Sequence, residues 1–181
     1  MKLTIFFAST ACALAAVSAS GQTSPYADHA GREIKALSAE EIDGILTGRG
    51  MGLALAAELN GYPGPKHVLE LATELGLGDE QHAAISKVHD AMLRDAVAVG
   101  RQILDVERRL DGLFAGGTAT ATNLRSALDE LGRLRAALRY THLAAHLETK
   151  ALLTDAQVRR YIDLRGYSGG EHPHSSHPGH P

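Results

Sequence analysis

Gly116 and Gly117, followed by Thr118, interrupt an otherwise continuous helical pattern running from Asp79 to Leu152, and no other feature constrains the fold as much. Before the break, His82, Ile85, His89, Met92, Ala96, Val99, Ile103, Val106, Leu110 and Leu113 recur at spacings of three and four, which keeps one stripe facing a partner helix. After it, Leu124, Leu128, Leu131, Arg135, Leu138, His142, Ala145, Thr149 and Leu152 repeat the pattern. Each arm is long enough to reach roughly 45 to 55 Å at about 1.5 Å per residue. Paired glycines end helices and permit a reversal, so the pattern predicts an extended antiparallel hairpin with its two stripes in contact.

Composition supports an all-α chain. Ala, Leu, Glu and Arg are abundant, Trp is absent and aromatic residues make up 4%, which favours helix and leaves little material for a β-sandwich. The formal charge is −3, so no basic field recommends nucleic acid as a partner.

Residues 1–19 carry the marks of a secretory signal: Lys2, an apolar stretch from Leu3 to Val17, and small residues at Val17-Ser18-Ala19. Export to the periplasm with cleavage of this segment is expected. The apolar stretch falls short of the roughly 20 residues a membrane anchor needs. Cys12 lies within it, so the mature chain would hold no cysteine and form no disulfide.

Residues 20–37 read as a flexible N-terminal segment and 38–165 as the helical domain. Ser38-Ala39-Glu40-Glu41 forms a capping box that opens a helix to about Leu46. Gly48, Gly50 and Gly52 follow, then an apolar turn or two from Leu53 to Leu59, and then Asn60-Gly61 with Pro63 and Pro65. Gly-Arg-Gly-Met-Gly lacks the spacing of a phosphate loop. No role attaches to residues 50–65. Val68 to Leu75 predicts another short helix, and Thr154 caps a last one that ends near Leu164. The tail, 166–181, is dominated by Gly, Ser, Pro and His and predicts disorder.

Two five-residue motifs bracket the long arms: Leu77-Gly78-Asp79-Glu80-Gln81 and Leu153-Thr154-Asp155-Ala156-Gln157. With the leader and the hairpin, they make residues 66–165 resemble the Spy and CpxP periplasmic stress proteins and their heavy-metal-resistance relatives such as CnrX and ZraP. That family carries Leu-Thr-x-x-Gln twice. Here Gln81, Leu153, Thr154 and Gln157 match, while Gly78 replaces the first threonine and removes its capping hydroxyl. The resemblance implies a curved helical homodimer that works without ATP. Its members either hold unfolded periplasmic proteins on a concave face or bind metal through His, Glu and Met. Fold alone does not choose between these.

If the arms pair symmetrically about Gly117, His89 comes near His146 and Met92 near His142. Imidazoles one helical turn apart, with a thioether beside them, suit copper, zinc or nickel. The plainer alternative makes the histidines half-buried seam residues or solvated flankers. His172, His174, His177 and His180 in the tail form a second metal candidate, suited to weak buffering rather than a defined site.

For client binding, Leu93, Val97, Leu104, Leu134 and Leu143 lie off the seam and must meet flanking helices, a second subunit or clients, within a surround of Arg94, Arg101, Arg108, Arg109, Arg133, Arg135 and Arg139. No catalytic residue is assigned. Glu107 and Asp111, beside Arg108 and Arg109, read as a solvated charged face. The expectation is a non-enzymatic envelope-stress protein that holds unfolded clients. The alternative is a metal sensor or buffer, which would need a separate signalling partner in the membrane.

Overall fold

The computed structural model describes residues 23–169, in which every regular element is a helix. The leader and the four tail histidines lie outside the described residues, but the start of the tail expected to be disordered is ordered: Tyr167–Gly169 forms a 3-10 turn, and the Tyr167 hydroxyl bonds to Glu58. The capping box at Ser38 is present, with the Ser38 hydroxyl accepting from the Glu41 amide at 3.1 Å and the Glu41 carboxylate from the Ser38 amide at 2.8 Å. It opens α1 (Ala39–Leu46). The apolar run after the triple glycine yields one turn, α2 (Leu55–Glu58). The short helix expected from Val68 to Leu75 is two pieces, α3 (Pro65–Glu70) and α4 (Ala72–Leu75), which Leu71 separates with φ −106° and ψ 20°.

The two long arms are α5 (Asp79–Ala115) and α6 (Ala121–Ala151), followed by α7 (Asp155–Leu164). Gly117 ends α5 in the left-handed conformation at φ +64°, and the Thr118 amide donates back to the Leu113 carbonyl at 2.9 Å. Thr120 and Asn123 then cap α6 reciprocally. The long helices pack along one another. Polar pairs between them rise in one helix as they fall in the other: the Gln81 amide to the Leu152 carbonyl, Arg135 to Glu107, and Arg109 to Glu130.

Two apolar clusters hold the layers together. The larger joins Ile34 and Leu37 to Ile45 of α1, to Ala96, Ile103, Leu104 and Val106 of α5, and to Ala127, Leu131 and Leu138 of α6. The helical unit therefore reaches back beyond Ser38, because two residues of the N-terminal segment are core. The smaller cluster, Val68, Leu75, Ile85 and Tyr161, sits where α3, α4 and α7 meet the start of α5.

The buried stripe differs from the sequence seam in a specific way. Ile85, Ala96, Ile103 and Val106 are buried as the pattern predicts, yet Gly100, Leu104 and Glu107 are buried too, and Leu128 is 47% exposed. The cause is a third layer. A Cβ on Gly100 would stand 2.7 Å from the Ile45 carbonyl oxygen, so only glycine lets α1 approach α5 this closely. Glu107 is the clearest departure. Instead of lying on a solvated face it is 4% exposed, and Arg135 donates to it at 2.6 Å. Asp111 beside it pairs with Lys35. Among the described residues no helix is long and apolar enough to cross a membrane.

Candidate functional site

Residues 50–65, which carried no assignable role, fold over the two histidines of α6. His142 lies against Gly50, where an added Cβ would be 3.8 Å from Nδ1. One turn later, His146 lies against Gly64, where a Cβ would be 2.9 Å from Nε2, closer than any real side chain is tolerated. The His146 Nδ1 donates to the Tyr62 carbonyl at 2.7 Å, because a carbonyl can only accept. His142 is buried, and its Nε2 has no hydrogen-bond partner. Burial first, and the neighbouring His146 second, hold the His142 imidazole below the ordinary histidine range.

A buried carboxylate anchors the segment from the other side. Glu58 of α2 is 7% exposed and accepts from the Tyr161 hydroxyl at 2.6 Å, the Tyr167 hydroxyl at 3.1 Å and the Gly64 amide at 3.3 Å. Arg165 stands 3.5 Å away and supplies the opposite charge that a buried carboxylate requires. Desolvation, then the bond to Glu58, raises the Tyr161 hydroxyl above its ordinary range, so it stays a donor. Sequence reasoning missed Glu58 and Tyr161. The available signal was a single carboxylate inside the apolar run from Leu53 to Leu59.

The residues proposed as metal ligands are distributed as follows. His142 and His146 share one buried site. The His89 Nδ1 faces its own neighbour Asp90 at 3.6 Å, and Met92 lines a different surface, described below. His67 and Glu58 join His146 around a small cleft of about 220 Å³. Among the described residues, no three His, Cys, Asp or Glu side chains converge as a metal site.

The glutamines of the two bracketing motifs meet. The Gln81 and Gln157 amide groups exchange hydrogen bonds at 3.0 Å, and Gln81 also donates to the Leu152 carbonyl at 2.8 Å. Thr154 caps α7 through Gln157, with half-buried Leu153 packed on the smaller cluster. The Gly78 amide donates to Gln81 at 3.3 Å, but with no hydroxyl at Gly78 the reciprocal bond is missing.

The apolar residues proposed for client binding are only partly accessible. Leu104 is 1% exposed and belongs to the core, and Leu134 packs against it. Leu93 and Val97 lie under Gly48, while Leu143 is half-buried. Apolar surface is open elsewhere. Two adjoining hollows of about 600 and 180 Å³ share Val88 and Glu148 and are lined by α5, α6 and Leu152, which caps α6. Together they form a furrow whose walls are mostly small: Ala83, Ala84 and Ala91 on α5, and Ala144, Ala145 and Ala151 on α6, with Val88, Met92 and Leu152 between; the exposed Tyr140 and the half-buried Thr141 make the smaller hollow the more polar of the two. Its charged residues are Glu80, Lys87, Asp95 and Glu148 rather than the expected arginines, of which Arg108, Arg109 and Arg135 are engaged with acidic partners. No family model, curated protein or solved structure matches the chain.

Proposed function

We propose that this chain is a non-enzymatic periplasmic stress protein that holds segments of unfolded proteins without ATP, built as an extended antiparallel hairpin in the manner of the Spy and CpxP family and working as a homodimer. The observation that carries the reading is the furrow. It is an apolar strip left uncovered by the short helices, in a chain whose other apolar face α1 and α3 cover. Shallow alanine walls suit weak, unspecific contact with many side chains better than capture of one small molecule. The paired motifs and the clasp between Gln81 and Gln157 support the family likeness. The test is suppression of aggregation of a reduced client by stoichiometric protein. Suppression is expected, with loss in an Ala84→Arg, Ala144→Arg variant that keeps its helix content. No suppression by the unmodified chain would remove the reading.

A second reading has one observation of its own, the orphaned Nε2 of His142 one turn from His146. Copper, zinc or nickel bound there would link the chain to metal sensing or buffering, with the tail histidines as a weaker reservoir and a membrane protein as the signalling partner. The buried pair supplies two nitrogen donors, while His89 faces Asp90 and Met92 lines the furrow. Equilibrium dialysis of a tail-deleted chain decides the matter: this reading expects metal uptake that His142→Ala, His146→Ala abolishes, and unchanged uptake sinks it.

A further inference from the structure

The furrow carries a charge signature that client holding in general does not require. Of its four charged residues three are acidic, and Glu80, Asp95 and Glu148 form no ion pair among the described residues. All three are exposed, so their charge acts outward on whatever approaches and is not consumed within the chain. Glu80 and Asp95 stand about four helical turns apart, roughly 22 Å along α5, with the apolar floor between them.

The backbone of the walls adds a second restriction. Both are helices whose amides and carbonyls are already paired along their own axes, so the furrow offers no free edge on which an extended chain could form a ladder. A bound segment must satisfy its own backbone, which a helix does. Alanine walls also permit the close approach of a helix with larger apolar side chains.

We infer that the preferred occupant of the furrow is a basic amphipathic helix, with an apolar stripe seated between α5 and α6 and Lys or Arg residues reaching Glu80, Asp95 and Glu148. This names a client class for the furrow and rests on the client-holding reading. The rim charges set selectivity and association rate, and their contribution weakens as salt rises.

The experiment uses the full chain and three labelled peptides: a Lys/Leu/Ala amphipathic sequence, its counterpart with Glu at every Lys, and a scrambled Lys peptide of the same composition. Fluorescence anisotropy at low salt should show the basic amphipathic peptide bound about tenfold more tightly than either control. The gap to the acidic peptide should close in Glu80→Gln, Asp95→Asn, Glu148→Gln and at high salt. Circular dichroism of that variant, whose substitutions are all at exposed positions, checks that it is folded. Equal binding of the basic and acidic peptides, equal binding of the scrambled one, or a gap that survives in the folded triple variant overturns the inference while client holding stands. Failure of every peptide to bind, together with no suppression of client aggregation, removes client holding and this inference together.

Discussion

His142 shows how one side chain links burial to solution behaviour. Its ring is 3% exposed, its Nε2 is unsatisfied, and its proton affinity is lowered by burial and by His146. A histidine whose folded pKa lies below the unfolded value binds more protons when unfolded. Its neutral form therefore supports the fold above the ordinary imidazole range, and that support is lost as pH falls through it. Urea midpoints from about pH 7.5 down to about 5.5 should decline in the native chain, and His142→Leu should flatten the decline. The same substitution removes the orphaned nitrogen, so at the upper pH its midpoint should match or exceed that of the native chain. An equally steep decline in the variant would show that other groups govern the slope.

Helix ends marked by a cap or a glycine were legible because their causes are local, whereas the break at Leu71 was not. The Ser38 and Thr154 caps and the stop at Gly117 each depend on residues within a few positions of one another. What was not legible is long-range. Glu58 meets Tyr161 across 103 residues, Glu107 is buried by a layer that the seam pattern does not mention, and Ile34 and Leu37 reach the core from a stretch that reads as a flexible segment. The open furrow was hidden for the same reason, since it depends on which face the short helices leave bare. The motif glutamines fall between these cases. Their capping role is local, whereas their mutual bond joins the start of α5 to the start of α7. Gln157→Ala removes a cap partner and leaves Gln81 without its amide partner, and should cost about 1–2 kcal/mol in chemical denaturation. Gln81→Ala should cost a similar amount. The double variant should cost less than the sum, because the two share one interaction. Strict additivity would mean that the glutamines act only as separate caps.

At the scale of the whole molecule, the two clusters predict uneven stability. The larger unites α1, α5 and α6 through ten buried residues, whereas the smaller has four and is bound in by α3, α4 and α7. Elements with fewer buried contacts open at lower free energy, so α3, α4 and α7 should detach as a unit while the centre of α5 remains protected. Native-state hydrogen exchange separates the two events. Ile103→Val removes a methylene from the larger cluster and should lower the free energy for exchange at the centre of α5 by about 1 kcal/mol, leaving the α3, α4 and α7 amides unchanged. That pattern follows because Ile103 keeps its contacts in the partly opened state. Val68→Ala, in the smaller cluster, should lower both sets together, since its contacts are lost in the partial opening as well as in global unfolding. One exchange free energy shared by all these amides in the native chain would mean that the clusters unfold as a single unit. Segment 50–65, tethered to the smaller cluster through Glu58 and Tyr161, would then open only with the whole chain, and the buried histidines would meet solvent only on global unfolding.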